Sequence, residues 1–249
     1  MSSNEMVLIP THFDRIERLW LMPAHKVQLG AGVATYGYNW THSNFDWLKT
    51  NLNKRLRRRQ KDRCCYCRRP LKYDKGLVEL DHIIDKGPQK GFPHFTFEIK
   101  NLALACKDCN NNKGTKTVLS TTITKTAPYP VKPSAYIWVH PHIHRYSEHI
   151  LIHQGWVYEA NNKSPNGLAV ITKCMLHKLA KKEAKNRRVI VSGAADLNDA
   201  VAKAIGLVGE VGLDALCQEL GGFLASQWKT ATPQQIQDAI RRTHASITV

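Results

Sequence analysis

The apolar positions of the chain follow two rhythms. Phe45, Leu48, Leu52 and Leu56 recur at steps of three and four, which predicts an amphipathic helix from an N-cap at Ser43 to about Asp62. Val78 and Leu80 alternate with polar neighbours and predict a short strand ending on Asp81 and His82. A second short strand runs from Asn101 into Cys106, and a helix starts around Asn110 and Lys113. Residues 11–21 read as helical, and the Gly- and aromatic-rich run 29–40 reads as loop or short strands. A basic helix is expected over 173–188, with Met175, Leu176 and Leu179 as its apolar side. Val201, Ile205, Val208 and Val211 set the spacing of two or three helices in the tail. Pro128, Pro130 and Pro133 mark 126–134 as a linker. The expected fold is α+β and mainly helical. Its expected parts are an N-terminal segment, 1–42, without assigned chemistry; a strand–helix domain, 43–125; an accessory region, 131–192; and a helical tail, 193–249.

Charge adds a partner to this picture. The 249 residues hold 36 Lys and Arg against 20 Asp and Glu, a net +16 that points to a polyanion, most often nucleic acid. With 43% hydrophobic residues a core can form, which excludes wholesale disorder. No apolar run approaches a transmembrane span and the N-terminus lacks a secretory pattern, so a soluble, cytoplasmic chain with no membrane partner is expected. Residues 193–249 carry 4 basic and 6 acidic side chains, so the whole surplus belongs to the first 192. The acidic tail therefore suits packing or a protein partner, and self-association stays open. Arg57, Arg58 and Arg59 crowd the C-terminal half of the helix that starts near Ser43. They read either as phosphate contacts or as cations that merely suit the helix dipole.

The cysteines bring chemistry. Seven occur, an odd number without a secretion signal, which disfavours a disulfide framework. Cys64 with Cys67 and Cys106 with Cys109 form two Cys-x-x-Cys knuckles, the pattern of a four-thiolate structural Zn2+ site, with redox or simply buried thiols as the alternative. Cys65, Cys174 and Cys217 fall out of register as bystanders. The 38 residues between the knuckles exceed a simple zinc ribbon, so a strand–loop–strand–helix unit is inserted, able to bring Asp81, His82 and Asn110 to one side. A neutral histidine can take a proton from water, while aspartate and asparagine offer hard oxygens suited to Mg2+. His140, His142, His144, His149 and His153 form a separate cluster. They read as interface, phosphate-contacting or partly buried histidines, with a second metal site as the alternative.

CCYC at 64–67, ELDHII at 79–84, NL at 101–102 and CKDCNNNKG at 106–114 together resemble the HNH endonucleases of the ββα-metal, four-cysteine zinc subtype. The resemblance covers about 60–117 and implies an HNH nuclease core within the 43–125 domain. It implies His82 as general base, Asp81 and Asn110 as ligands of a catalytic Mg2+ or Mn2+, and Asn101 as the residue that orients the active-site backbone. It also implies that Lys113 touches phosphate. Asn110 stands where the family has its final His or Asn. DNA is the implied substrate, with RNA, tRNA included, as the alternative; a non-catalytic zinc-stabilised nucleic-acid-binding module is the competing function. WVHPHIHRYSEHI at 138–150 and SPNGLAVITKCMLHKL at 164–179 are similar, more loosely, to HNH proteins of Septu- and retron-type antiphage systems. That similarity implies a defence effector beside an SMC-like ATPase.

Overall fold

A computed structural model describes residues 8–74, 76–89 and 91–248. The first seven residues of the N-terminal segment lie outside them. The fold is mixed α+β and mainly helical, and it divides into two compact units. The larger unit comprises Pro10–Leu151 and Glu159–Leu176; the smaller comprises Met1–Ile9, Ile152–Tyr158 and His177–Val249.

In the larger unit, helix α1 spans Pro23–Tyr36 and α2 spans Asp46–Arg59. The predicted stripe of α2 is buried: Phe45, Leu48, Leu52 and Leu56 are all fully enclosed. The helix is shorter than expected at both ends. A 3-10 turn, Ser43–Phe45, precedes it, and His42 rather than Ser43 supplies the capping acceptor, taking the Asn44 N–H. At the other end Lys61 and Asp62 turn into left-handed backbone, while the buried Gln60 amide bonds both the N–H and the carbonyl of Leu104. That pair of bonds fixes the end of α2 to the strand that carries Cys106.

Strand β1 (Val78–His82) pairs antiparallel with β2 (Leu102–Cys106), His82 opposite Leu102 and Val78 opposite Cys106. β2 runs directly into α3 (Lys107–Lys113), which ends at Gly114, where a φ of 53° favours a residue without a Cβ. This is the expected strand–loop–strand–helix unit. α4 (Pro165–Lys173) closes the unit's sequence, with Ser164 capping its first turn. A second two-stranded sheet joins β3 (Ile150–His153) to β4 (Val157–Ala160).

Four expectations are corrected. Residues 11–21 are not helical; Phe13, Ile16 and Leu21 are buried from irregular backbone instead. The helix lies further on, as α1, within what was read partly as loop. It is largely exposed and so shows no apolar stripe, but Gly32 is buried. A Cβ there would meet Asn44 Nδ2 at 2.8 Å and Phe45 Cε1 at 2.9 Å, so close helix packing requires glycine. The basic helix over 173–188 is broken: α4 stops at Lys173, Met175 adopts a φ of 53°, and α5 (Leu179–Ser192) begins afresh. The Pro-rich stretch 126–134 is no free linker, because Tyr129 and Pro130 are hydrogen-bonded into the larger unit.

In the smaller unit, α5 is followed by α6 (Leu197–Ile205), the single-turn α7 (Val208–Val211), α8 (Leu213–Gln227) and α9 (Pro233–Ile247). Val191, Ala200, Ala204, Leu216, Leu220, Leu224, Ile236 and Ile240 form their shared core. Local signals set the boundaries: Asp196 caps α6, and Thr232 with Gln235 forms a capping box ahead of Pro233. No described helix is long and apolar enough to cross a membrane.

Candidate nuclease site

The cysteine knuckles converge. The sulfurs of Cys64, Cys67, Cys106 and Cys109 all lie within 4.8 Å of one another, and no disulfide joins them. Tetrahedral zinc with Zn–S bonds of about 2.3 Å requires sulfurs about 3.8 Å apart. Cys67 Sγ and Cys106 Sγ are 3.8 Å apart. The N–H groups of Tyr66 and Cys106 aim at Cys64 Sγ at 3.4 and 3.3 Å, the arrangement that supports a thiolate. The donor set therefore fits a structural Zn2+, which would tie the 64–67 turn to the junction of β2 and α3. Beside it, the buried Arg68 guanidinium donates to the carbonyl of Cys65 at 2.8 Å and lies over the rings of Phe13 and Tyr146, at 3.7 and 4.0 Å. These two cation–π contacts help to hold the first knuckle in place.

At the end of β1 opens a polar cavity of about 240 Å3, lined by Trp40, Asp81, His82, Asp85, Lys86, Asn110 and Lys113 among others. His82 Nε2 lies 3.0 Å from the carbonyl oxygen of Thr96. A carbonyl only accepts, so Nε2 carries the proton and Nδ1 keeps its lone pair. The Trp40 and His82 rings pack in a T-shaped contact, their centroids 4.5 Å apart. Burial, reinforced by the charges of Lys86 and Lys113, pushes the His82 pKa down to about 3, against the opposing pull of the Thr96 carbonyl. The ring is thus a neutral acceptor throughout the physiological range.

Asp81 is heavily engaged. Lys113 Nζ donates to its Oδ1 at 2.8 Å and to the His82 carbonyl at 2.7 Å, and the Tyr66 hydroxyl donates to Oδ2. Asn110 uses its amide nitrogen on Glu79 at 2.5 Å, which leaves an amide oxygen as acceptor. Among the described residues, the cysteine cluster is the one group of three or more His, Cys, Asp or Glu ligands. The cavity therefore offers hard oxygens from Asp81 and Asn110, with the Asp85 carboxylate also on its wall. That set fits a Mg2+-type ion, which retains several waters, better than a fully protein-caged one.

Asn101 sits behind the cavity, fully buried. Its Oδ1 accepts the Ile84 N–H at 2.7 Å, and its Nδ2 donates to the carbonyls of Ile84 and Phe95, both at 3.0 Å. It staples the ends of the 84–95 loop, whose next residue, Thr96, holds His82. The histidine cluster continues this chain of bonds. His140 Nδ1 accepts the His142 N–H at 3.1 Å, so its proton is on Nε2, 2.8 Å from the Tyr129 hydroxyl. Tyr129 in turn donates to Asn101 Oδ1 at 3.2 Å, a proton it shares with the Lys100 carbonyl at 3.2 Å. His144 Nδ1 accepts the His140 N–H at 2.9 Å, and His142 Nε2 donates to the Leu102 carbonyl at 2.8 Å. Burial holds all three imidazoles neutral, His142 and His144 at about 4. Of the readings open to this cluster, buried structural histidines fit; no metal group forms from them among the described residues.

The arginines separate from one another. Arg57 bonds Asn53, Asp62 and the Lys72 carbonyl and covers the Tyr73 ring. Arg59 pairs with Glu17, and Arg58 is exposed. Trp40, Tyr66, Asp85, Lys86 and Tyr129 escaped sequence reasoning. Only Tyr66, inside the first knuckle, carried a positional signal.

Residues 64–116 match the family model described as HNH endonuclease. Comparisons with curated proteins and with solved structures gave no match. The match covers this stretch alone; its four-cysteine cluster fits the zinc subtype of that family, and the match points to a nuclease or nucleic-acid-binding role.

Proposed function

We propose that the chain is a metal-dependent endonuclease that hydrolyses phosphodiester bonds, with DNA as substrate and RNA as the alternative. The observation that carries this reading is the meeting of Asp81, His82 and Asn110 in one cavity, on elements clamped by the cysteine cluster. Asp81 and Asn110 would hold Mg2+ or Mn2+, which supplies Lewis-acid polarisation of the phosphate and stabilises the leaving oxyanion. His82 Nδ1 accepts one proton from a water whose oxygen attacks phosphorus in line. The P–O3′ bond breaks, leaving a 5′-phosphate and a 3′-oxygen that takes its proton from solvent. The Thr96 carbonyl fixes the ring's tautomer and aim, and Asn101, through Ile84 and Phe95, fixes the loop that leads into Thr96. Lys113 balances the buried Asp81 charge. Cleavage of plasmid DNA with Mg2+ or Mn2+, lost in His82→Ala, tests the assignment.

A zinc-stabilised nucleic-acid-binding module without turnover is the second reading. It is favoured by one fact: both Asp81 oxygens already accept hydrogen bonds from protein groups. It predicts salt-sensitive binding and no cleavage with any metal. The resemblance to antiphage nucleases extends the proposal to a cytoplasmic defence effector held by an SMC-like ATPase through the acidic tail. Copurification of the full-length chain with such an ATPase tests that extension, and no recovery at low salt counts against it.

A further inference from the structure

A second cavity in the larger unit, about 400 Å3, lies between the Phe13 segment and the end of α2, and shares no lining residue with the Asp81 cavity. Five cations border it, Arg15, Arg58, Arg59, Lys61 and Arg145, against two carboxylates, Asp14 and Glu17. Two of the five are neutralised: Arg59 by Glu17, and Arg145 by Asp14 at 3.2 Å. Asp14 is further committed to the Ser147 N–H at 2.8 Å. Arg15, Arg58 and Lys61 are exposed and have no carboxylate partner among the described residues. Three uncompensated cations thus face one ligand-sized depression.

We propose that this cavity is an anchoring site for backbone phosphate of a nucleic acid bound by the same chain, remote from the scissile bond. Guanidinium forks match phosphate oxygens bidentately, and a lysine adds a point charge. The lining also says which phosphate source is favoured. No tryptophan or tyrosine borders the cavity, and its phenylalanine, Phe13, is buried beneath the Arg68 guanidinium at 3.7 Å. With the His12 imidazole as its one exposed ring, the cavity offers far more charge than aromatic platform for a base, so it suits backbone over a free nucleotide. His12 and Lys61, neither of them glycine, hold left-handed backbone there at φ 66° and 51°, conformations kept only where the surroundings enforce them. The inference rests on the nucleic-acid reading above, but on binding and not on turnover.

The test uses the full chain carrying His82→Ala, without added divalent metal, and anisotropy of a fluorescent 20-base-pair duplex over a salt series. Replacing Arg15, Arg58 and Lys61 together by glutamine removes about three phosphate contacts. The slope of log K against log salt should then fall in magnitude by about 2.7, with affinity lowered at least about tenfold near 0.1 M salt. The single variant Arg15→Gln should lower the slope by about 0.9, which guards against a misfolded triple variant. Unchanged slope and affinity in both variants overturn the proposal. ATP or pyrophosphate binding that the triple variant loses, with duplex binding unaltered, also overturns it, by assigning the cavity to free phosphates. A slope shift in a chain whose parent never cleaves leaves the anchor standing while the nuclease reading falls; cleavage with no slope shift does the reverse.

Discussion

Tyr129→Phe removes a single oxygen and tests whether the histidine cluster braces the 84–95 loop. The hydroxyl receives the His140 Nε2 proton at 2.8 Å and passes its own to Asn101 Oδ1 at 3.2 Å. Asn101 keeps its Ile84 and Phe95 partners in the variant, so its acceptor stays satisfied. His140, fully buried, does not: its N–H loses its acceptor. An orphaned buried donor costs about 1–3 kcal/mol. For a domain of this size, about 2–4 °C per kcal/mol gives a fall in Tm of roughly 2–12 °C. Urea and thermal unfolding measure that loss. Long-range nitrogen–proton NMR of the wild-type imidazoles should show His140, His142 and His144 all as Nε2–H tautomers. Cleavage should fall through kcat, by up to about tenfold, with KM unchanged, because the loop that aims His82 loosens without losing a phosphate contact. A variant as stable as wild type, or a His140 proton on Nδ1, would refute the hydrogen-bond chain.

Other perturbations address the remaining parts. Cys106→Ser should abolish the bound zinc, one ion per chain by elemental analysis, and unfold the larger unit, since a structural zinc contributes about 10–16 kcal/mol; Cys65→Ala should retain zinc, and full zinc content in Cys106→Ser would contradict the cluster. Lys113 and Asp81 have side chains only 3% and 5% exposed, so Lys113→Met strands a buried carboxylate and should cost about 3–5 kcal/mol in urea unfolding. Asp81→Asn added to Lys113→Met should recover much of that loss, and a double variant no better than the single one would count against the pair. His142 and His144 have folded pKa values lowered to about 4 from 6.5. The unfolded chain therefore takes up protons first, and stability should fall as pH drops from about 6.5 to about 4. Urea midpoints flat across that window would show these rings to be solvated.

What was legible in the sequence was chemistry tied to short spacing. Two Cys-x-x-Cys turns, Asp81 beside His82, and Asn110 directly after the second knuckle each declare themselves within a few residues; β1 and β2 fall where alternation and the knuckle placed them, while α3 starts earlier than expected, at Lys107, and ends at Lys113. What was not legible depends on distant partners. Tyr129 reaches Asn101 from 28 residues away, Tyr66 acquires its meaning only by touching Asp81, and Trp40 enters the cavity from a segment without periodicity. α1 was missed because a largely exposed helix has no apolar stripe, and the buried Phe13, Ile16 and Leu21 mimicked one at near-helical spacing. Proline clustering at 128–133 signalled a break in regular structure correctly, but not that the broken segment packs.

The central claim, that His82 is the proton acceptor of a metal-dependent phosphodiester hydrolysis, is tested most directly by one plasmid-nicking series. Zinc-loaded wild type and His82→Ala, shown to share the same unfolding midpoint, are compared in Mg2+, in Mn2+ and without added divalent metal. The account predicts nicking by wild type in Mg2+ or Mn2+ only, leaving 5′-phosphate ends, and a loss of at least about a hundredfold in His82→Ala. Equal nicking by the two proteins, or none by wild type on DNA or RNA with either metal, would contradict it.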